Sequence, residues 1–284
     1  MHPAMMRHSG ATMKDKFPPS GQKHAGLFSG PFLHNCSNGR MMKHLLILAA
    51  FFLLGSGRSP AFELPGNSRQ CLVGIADGWD SSEVTLRLFE KPGDKWVQTG
   101  AEWKGRLGKK GLVWGLGLNP APEGAVLKRE GDWRTPAGVF KIGDAWGYAP
   151  EIARHPNMPY WQVTSRDLWV EDPASPLYNQ HVRLKADPAT AWEKRQQMKQ
   201  DDPAHALELF IAHNAPPDTR PGAGSSIFFH IWRGGGSKPT AGCTTMAEQN
   251  LRSLIAALDP AKNPLYVILP QAEYDRLRAE WKLP

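Results

Sequence analysis

The chain has 284 residues, 41% hydrophobic and 21% charged, with 28 glycines and 25 prolines. That apolar share supplies a core, and neither a residue repeat nor a series of long apolar runs appears, which excludes global disorder, collagen, coiled coil and a multi-span membrane protein. Of the formal net charge of +7, residues 1–61 carry +6, from seven basic residues against Asp15 alone, so the remainder is almost neutral and speaks against a nucleic-acid partner.

Residues 1–40 hold four of the nine methionines and no hydrophobic periodicity. They read as a doubtful N-terminal extension, with translation starting at Met41 or Met42. Residues 41–61 read as a signal peptide: Lys43 and His44, an unbroken apolar run from Leu45 to Leu54, then small residues. Ten apolar residues span about 15 Å as a helix, about half of a bilayer core. The expectation is an exported chain, in the periplasm or cell wall, with no membrane span after signal cleavage. Outside the extension the cysteines are Cys71 and Cys243, which sets a disulfide against a free, reactive thiol.

Next come strand signals. Val84 to Leu88 alternates, and Pro92-Gly93-Asp94 turns it into Lys95-Trp96-Val97, a hairpin pattern. Further strand-like runs are Leu112–Trp114, Val139–Ile142, Leu207–Ala212, Ile227–Trp232 and Leu265–Leu269. Two segments read as helix. Asp187-Pro188 opens a polar stretch to about Gln200, expected as a surface insertion. Thr245-x-x-Glu248 resembles a capping box, followed by Leu251, Leu254, Ile255 and Leu258 at helical spacing, with Asp259-Pro260 as the stop. The pattern predicts a mainly β (β-rich α+β) fold: one domain over 62–270 with a few helices, then a helical tail at 271–284.

Chemistry concentrates in residues 227–246. If 227–232 is a strand, Ile227, Phe229 and Ile231 face the core, while Phe228, His230 and Trp232 face the other way. A glycine-rich loop then brings the chain back to Thr240-Ala241-Gly242-Cys243. A thiol just before a capped helix and beside an imidazole has a lowered pKa and becomes a nucleophile, and the nitrogens of Gly242 and Cys243 can face an oxyanion. The competing reading is a buried cysteine and a core histidine that merely lie close. No metal-ligand spacing competes for these residues, and no cofactor is implied.

This stretch resembles the active-site signature of the L,D-transpeptidase catalytic domain (YkuD-type), in which a histidine precedes Ser/Thr-x-Gly-Cys across a glycine-containing loop. Segments similar to that family also occur at Glu130-Gly131-Asp132-Trp133-Arg134-Thr135-Pro136, at Trp169 to Asn179, and at Pro221 to His230, so the likeness spans roughly 70–270. The resemblance implies a β-sandwich or barrel domain, peptidoglycan stem peptides as partners, and acyl transfer through a cysteine thioester. Carried over, Cys243 is the nucleophile, His230 the base, and the Ile231 carbonyl the group that orients the imidazole. Transpeptidase, L,D-carboxypeptidase and amidase share this acyl-enzyme and stay open, as does a non-catalytic cell-wall-binding module.

The chain departs from the family pattern at Ala241, where a second histidine is usual, and at Thr245, where an arginine is often found. Arg233 or Lys238 are the candidates to replace that arginine's grip on a substrate carboxylate. Thr240, His213, Tyr178 and Trp169 are weaker candidates for lining the cleft. Glu171 and Asp172 are adjacent, so on a strand they point to opposite faces, which weakens a glycosidase reading.

Overall fold

The computed structural model describes residues 61–284, so the extension at 1–40 and all but the last residue of the expected leader lie outside it. Strands β1 (Gln70–Ala76), β2 (Glu83–Glu90) and β3 (Val97–Arg106) form an antiparallel meander, with β2 and β3 joined at the Pro92-Gly93-Asp94 turn. There follow β4 (Leu112–Trp114), β5 (Thr135–Gly147), β6 (Tyr160–Gln162), β7 (Asp167–Trp169), β8 (His181–Arg183), helix α1 (Ala191–Arg195), β9 (Leu207–Ile211) and β10 (Phe228–Ile231). The chain continues through β11 (Thr244–Met246), helix α2 (Glu248–Ala257), β12 (Leu265–Pro270) and helix α3 (Gln271–Leu277).

The main sheet runs β12-β1-β2-β3-β11-β10-β9-β5, and β12 also pairs β5, which closes it into a barrel. Closure leaves those strands without a free edge for another chain to pair. The expected β-rich fold with few helices is the one observed. β2 shows why it forms: Val84, Leu86 and Leu88 point inward and are buried, while their neighbours are at least partly exposed.

Two apolar layers result. The barrel interior holds Leu72, Phe140, Phe229 and Tyr266, all fully buried. Burial of each such side chain contributes roughly 1.5–3 kcal/mol. The tail belongs to this core, since Leu277, Trp281 and Leu283 pack into it. A second, smaller cluster of Trp146, Val163, Trp169, Met198 and Phe228 lies on the outer face of the sheet. The segment expected as a surface insertion supplies Met198 to it. There the helix is shorter than the sequence pattern suggests, and its capping box is Thr190 with Glu193: Glu193 N–H donates to the Thr190 hydroxyl at 3.1 Å, and Thr190 N–H to the Glu193 carboxylate at 2.7 Å.

The capping box expected at Thr245 does not form. α2 begins at Glu248, its N-cap is Ala247, and no side chain caps it. Strand pairing overrides the local signal: β11 fits between β10 and β3, placing Thr245 opposite His230 on one side and Arg106 on the other. The apolar stripe of α2 is as expected, with Leu251, Leu254 and Ile255 buried.

Candidate active site

β10 alternates about the barrel wall. Phe229 enters the core, whereas Phe228 joins the outer cluster and His230 lies on the same outer side. His230 is only 3% exposed, because the outer layer covers it. Its Nδ1 donates to the Ile231 carbonyl at 2.9 Å, so the neutral ring carries its lone pair on Nε2, and the Ala204 backbone also faces the imidazole. Cys243 immediately precedes β11, which runs parallel to β10, so thiol and imidazole line one cavity of about 280 Å³. The thiol donates to the Ser226 carbonyl at 3.4 Å and accepts from Phe228 N–H at 3.5 Å. Cys71 is a free thiol buried in the barrel on β1, so Cys71 and Cys243 are not joined.

The sequence suggests an acidified thiol, and the structure gives the opposite. Burial pushes the Cys243 thiol up to about 12, and Glu208 and Glu171 add to the rise; Phe228 N–H and Lys128 oppose it. The reason is positional. With β11 intervening, α2 starts five residues after Cys243, beyond the one-turn reach of a helix dipole. Burial likewise lowers His230 to about 3, with His205 and Arg233 contributing. The resting site therefore holds a thiol and a neutral imidazole.

Around His230 runs a chain of polar contacts. Its ring stacks on His205, with centroids 4.7 Å apart and planes at 25°. His205 Nδ1 lies 2.6 Å from Glu208, and Arg233 donates to His205 Nε2 at 2.9 Å while forming an ion pair with Asp202 at 2.6 Å. Arg233, a candidate for gripping substrate, is thus already held by Asp202 and His205. Lys238 is exposed in the glycine-rich loop and does not line the cavity.

Thr240 shapes the nucleophile turn. Its hydroxyl donates to the Cys243 carbonyl at 2.7 Å and accepts from Gly242 N–H at 3.0 Å. That second bond occupies the Gly242 nitrogen, one of the two expected oxyanion donors. Trp169 lines the cavity, with its indole N–H held by Asn179 at 2.9 Å. Tyr178 stands behind the wall, where its hydroxyl and that of Ser225 both donate to Glu130, which does face the cavity. Of the adjacent pair, Glu171 lines the cavity while Asp172 accepts from the Trp192 indole at 2.7 Å.

His213 lies outside the cavity. It is fully buried, accepting Leu116 N–H at Nδ1 (3.1 Å) and facing the Ala223 carbonyl at Nε2 (2.9 Å). Burial lowers it to about 4. The unfolded chain therefore takes up a proton near pH 6.5 that the folded chain refuses until about pH 4, so stability falls as pH drops through that window. Relative to a His213→Gln variant, wild type is expected to lose about 1.4 kcal/mol more per pH unit between pH 6 and 5. Urea midpoints at each pH measure this, and parallel curves for the two proteins would overturn it.

Residues 96–267 match the L,D-transpeptidase catalytic domain, YkuD. The chain belongs to that family. No curated protein matches it. Two solved structures do, both of the helical cell shape determining protein Pgp2 from Campylobacter jejuni, one of them a point mutant. Identity is 14% and 13%, coverage 72% and 76% of this chain, and TM-scores are 0.32 and 0.33. The chain spans about half the length of those structures, covering 48% and 51% of them.

Within this L,D-transpeptidase domain the cavity is also lined by Lys128, His205 and Glu208, which no sequence motif singles out, and by Glu130, which enters the sequence pattern only as part of the family-like segment 130–136. A signal existed for Glu208, a lone carboxylate inside the apolar run Leu207 to Ile211, where a charge at a buried strand position needs a partner. Asp202-Pro203 likewise marks the turn that presents His205, since Asp202 caps it by accepting Ala204 N–H at 2.9 Å. For Lys128 the sequence carries no mark, as only the fold buries it.

Proposed function

We propose that this protein is an exported cysteine acyltransferase acting on peptidoglycan stem peptides. The observation carrying this reading is that Cys243 and His230 open onto one cavity in a chain of the L,D-transpeptidase catalytic-domain family. Sγ attacks the carbonyl carbon joining the third stem residue to D-alanine, and its proton passes to Nε2 of His230. The Ile231 carbonyl holds the imidazole in the tautomer that can accept it and stabilises the imidazolium once formed. Collapse of the tetrahedral adduct breaks the amide bond, His230 returns the proton to the departing D-alanine amine, and a thioester remains. An amine then takes the acyl group, giving a transpeptide, or water does, giving carboxypeptidase or amidase activity.

Because burial raises the thiol pKa and lowers that of the imidazole, the proton leaves Sγ as the thiol attacks. Export is supported by the apolar run from Leu45 to Leu54 behind Lys43 and His44. The raised thiol pKa favours a second reading, a wall-binding module that has kept the fold without turnover. Incubation with purified sacculi followed by muropeptide profiling separates these. New cross-links identify a transpeptidase, and shortened stems or freed wall-linked protein identify a hydrolase. Sediment-bound protein with an unchanged profile sinks the enzymatic proposal.

A further inference from the structure

Lys128 has no role in the scheme above. It lies just after Leu127, which bridges to Trp114, and its N–H donates to the Trp114 carbonyl at 2.8 Å. It is 3% exposed yet lines the cavity that holds Cys243. Among the other basic side chains there, Arg195 is exposed at the rim and Arg233 is tied to Asp202. A lysine ammonium has three donors. Two of them go to Asp132 at 2.5 Å and to the Arg129 carbonyl at 3.1 Å. The ammonium also sits directly behind the nucleophile turn, where a Cβ on Gly242 would lie 3.6 Å from Nζ.

Around Cys243 the expected sources of positive potential are missing. The helix starts too late, Gly242 N–H is occupied by Thr240, and the position where relatives often carry arginine is Thr245, a 1% exposed threonine. The facing carboxylates, Glu171 and Glu208, oppose negative charge at sulfur, and burial keeps the His230 imidazole neutral at rest. We propose that Lys128, anchored by Asp132, is the positioning cation of this site, stabilising the Cys243 thiolate from behind the Gly242 turn. This rests on Cys243 being the nucleophile. A lysine buried this deeply behind the turn that carries a reacting thiol lowers the free energy of its anion, and Asp132 both fixes the ammonium and tempers its charge.

The test is the rate at which iodoacetamide alkylates Cys243 at pH 8, read by peptide mass spectrometry, with Cys71 as an internal control for unfolding. Lys128→Met should slow Cys243 by about tenfold, the effect of a one-unit rise in thiol pKa. Lys128→Arg, which keeps the charge, should stay within about threefold of wild type. Asp132→Asn keeps the ammonium and removes its counter-charge, so it should leave the rate unchanged or raise it. Equal rates in wild type and Lys128→Met overturn the proposal, and so does a loss in Lys128→Arg as large as in Lys128→Met, which would mark a role in shape alone. If Lys128→Met exposes Cys71, the Arg and Asn variants decide. Alkylation needs no cell wall, so unchanged sacculi would defeat the enzymatic reading without touching this result.

Discussion

Cys243→Ala is expected to leave purified sacculi with the muropeptide profile of untreated wall, while the protein keeps its thermal midpoint within a few degrees and still sediments with the wall. The loss is complete because the thioester route needs the sulfur, and the remaining groups contribute binding without a nucleophile. The fold survives because Cys243 only touches the edge of the outer cluster of Trp146, Trp169 and Phe228, and its bonds to Ser226 and Phe228 are the weak, long ones of a thiol. An alanine variant that still alters the wall at the wild-type rate would remove Cys243 from the chemistry. A variant that no longer unfolds cooperatively would show the cysteine to be structural, the competing reading of the same spacing.

The largest stability effect is expected at the other end of the chain. Trp281→Ala should cost about 3–5 kcal/mol, the range for emptying a large aromatic site in a packed core. Trp281 is fully buried, meets Phe62 edge-to-face at 5.0 Å, and its carbonyl accepts Leu64 N–H at 3.0 Å. It therefore ties the first described residues and the last ones to the same barrel. Domains have only about 5–15 kcal/mol in total, so the variant sits near the edge of folding at 37 °C. Denaturant unfolding with an unchanged slope measures the difference, and a cost below about 1 kcal/mol would mean that the tail docks without supporting the core. Activity should follow stability here, since Trp281 does not line the catalytic cavity.

Local pattern was enough for the parts of this molecule that a short stretch of chain specifies. The alternation of 84–88 and 227–232, the Pro-Gly-Asp hairpin and the stripe on α2 follow from side-chain periods of 2 and 3.6, and so they were legible in the residues. The facing of His230 away from the core followed from the same alternation. Thr245 shows the boundary: its capping signal is sound by itself, but pairing of β11 between β10 and β3 outweighs it. Strand partners come from distant parts of the chain and are invisible to spacing.

By itself the sequence determined the kind of fold, the face on which the histidine lies, and the nearness of histidine to cysteine. Only the tertiary structure decided the charge state of that pair. Burial gathers Glu208, His205 and the Arg233–Asp202 pair around it together with Lys128, which lies more than a hundred residues away along the chain, and the free energy of a charge depends on everything packed around it rather than on its neighbours in sequence.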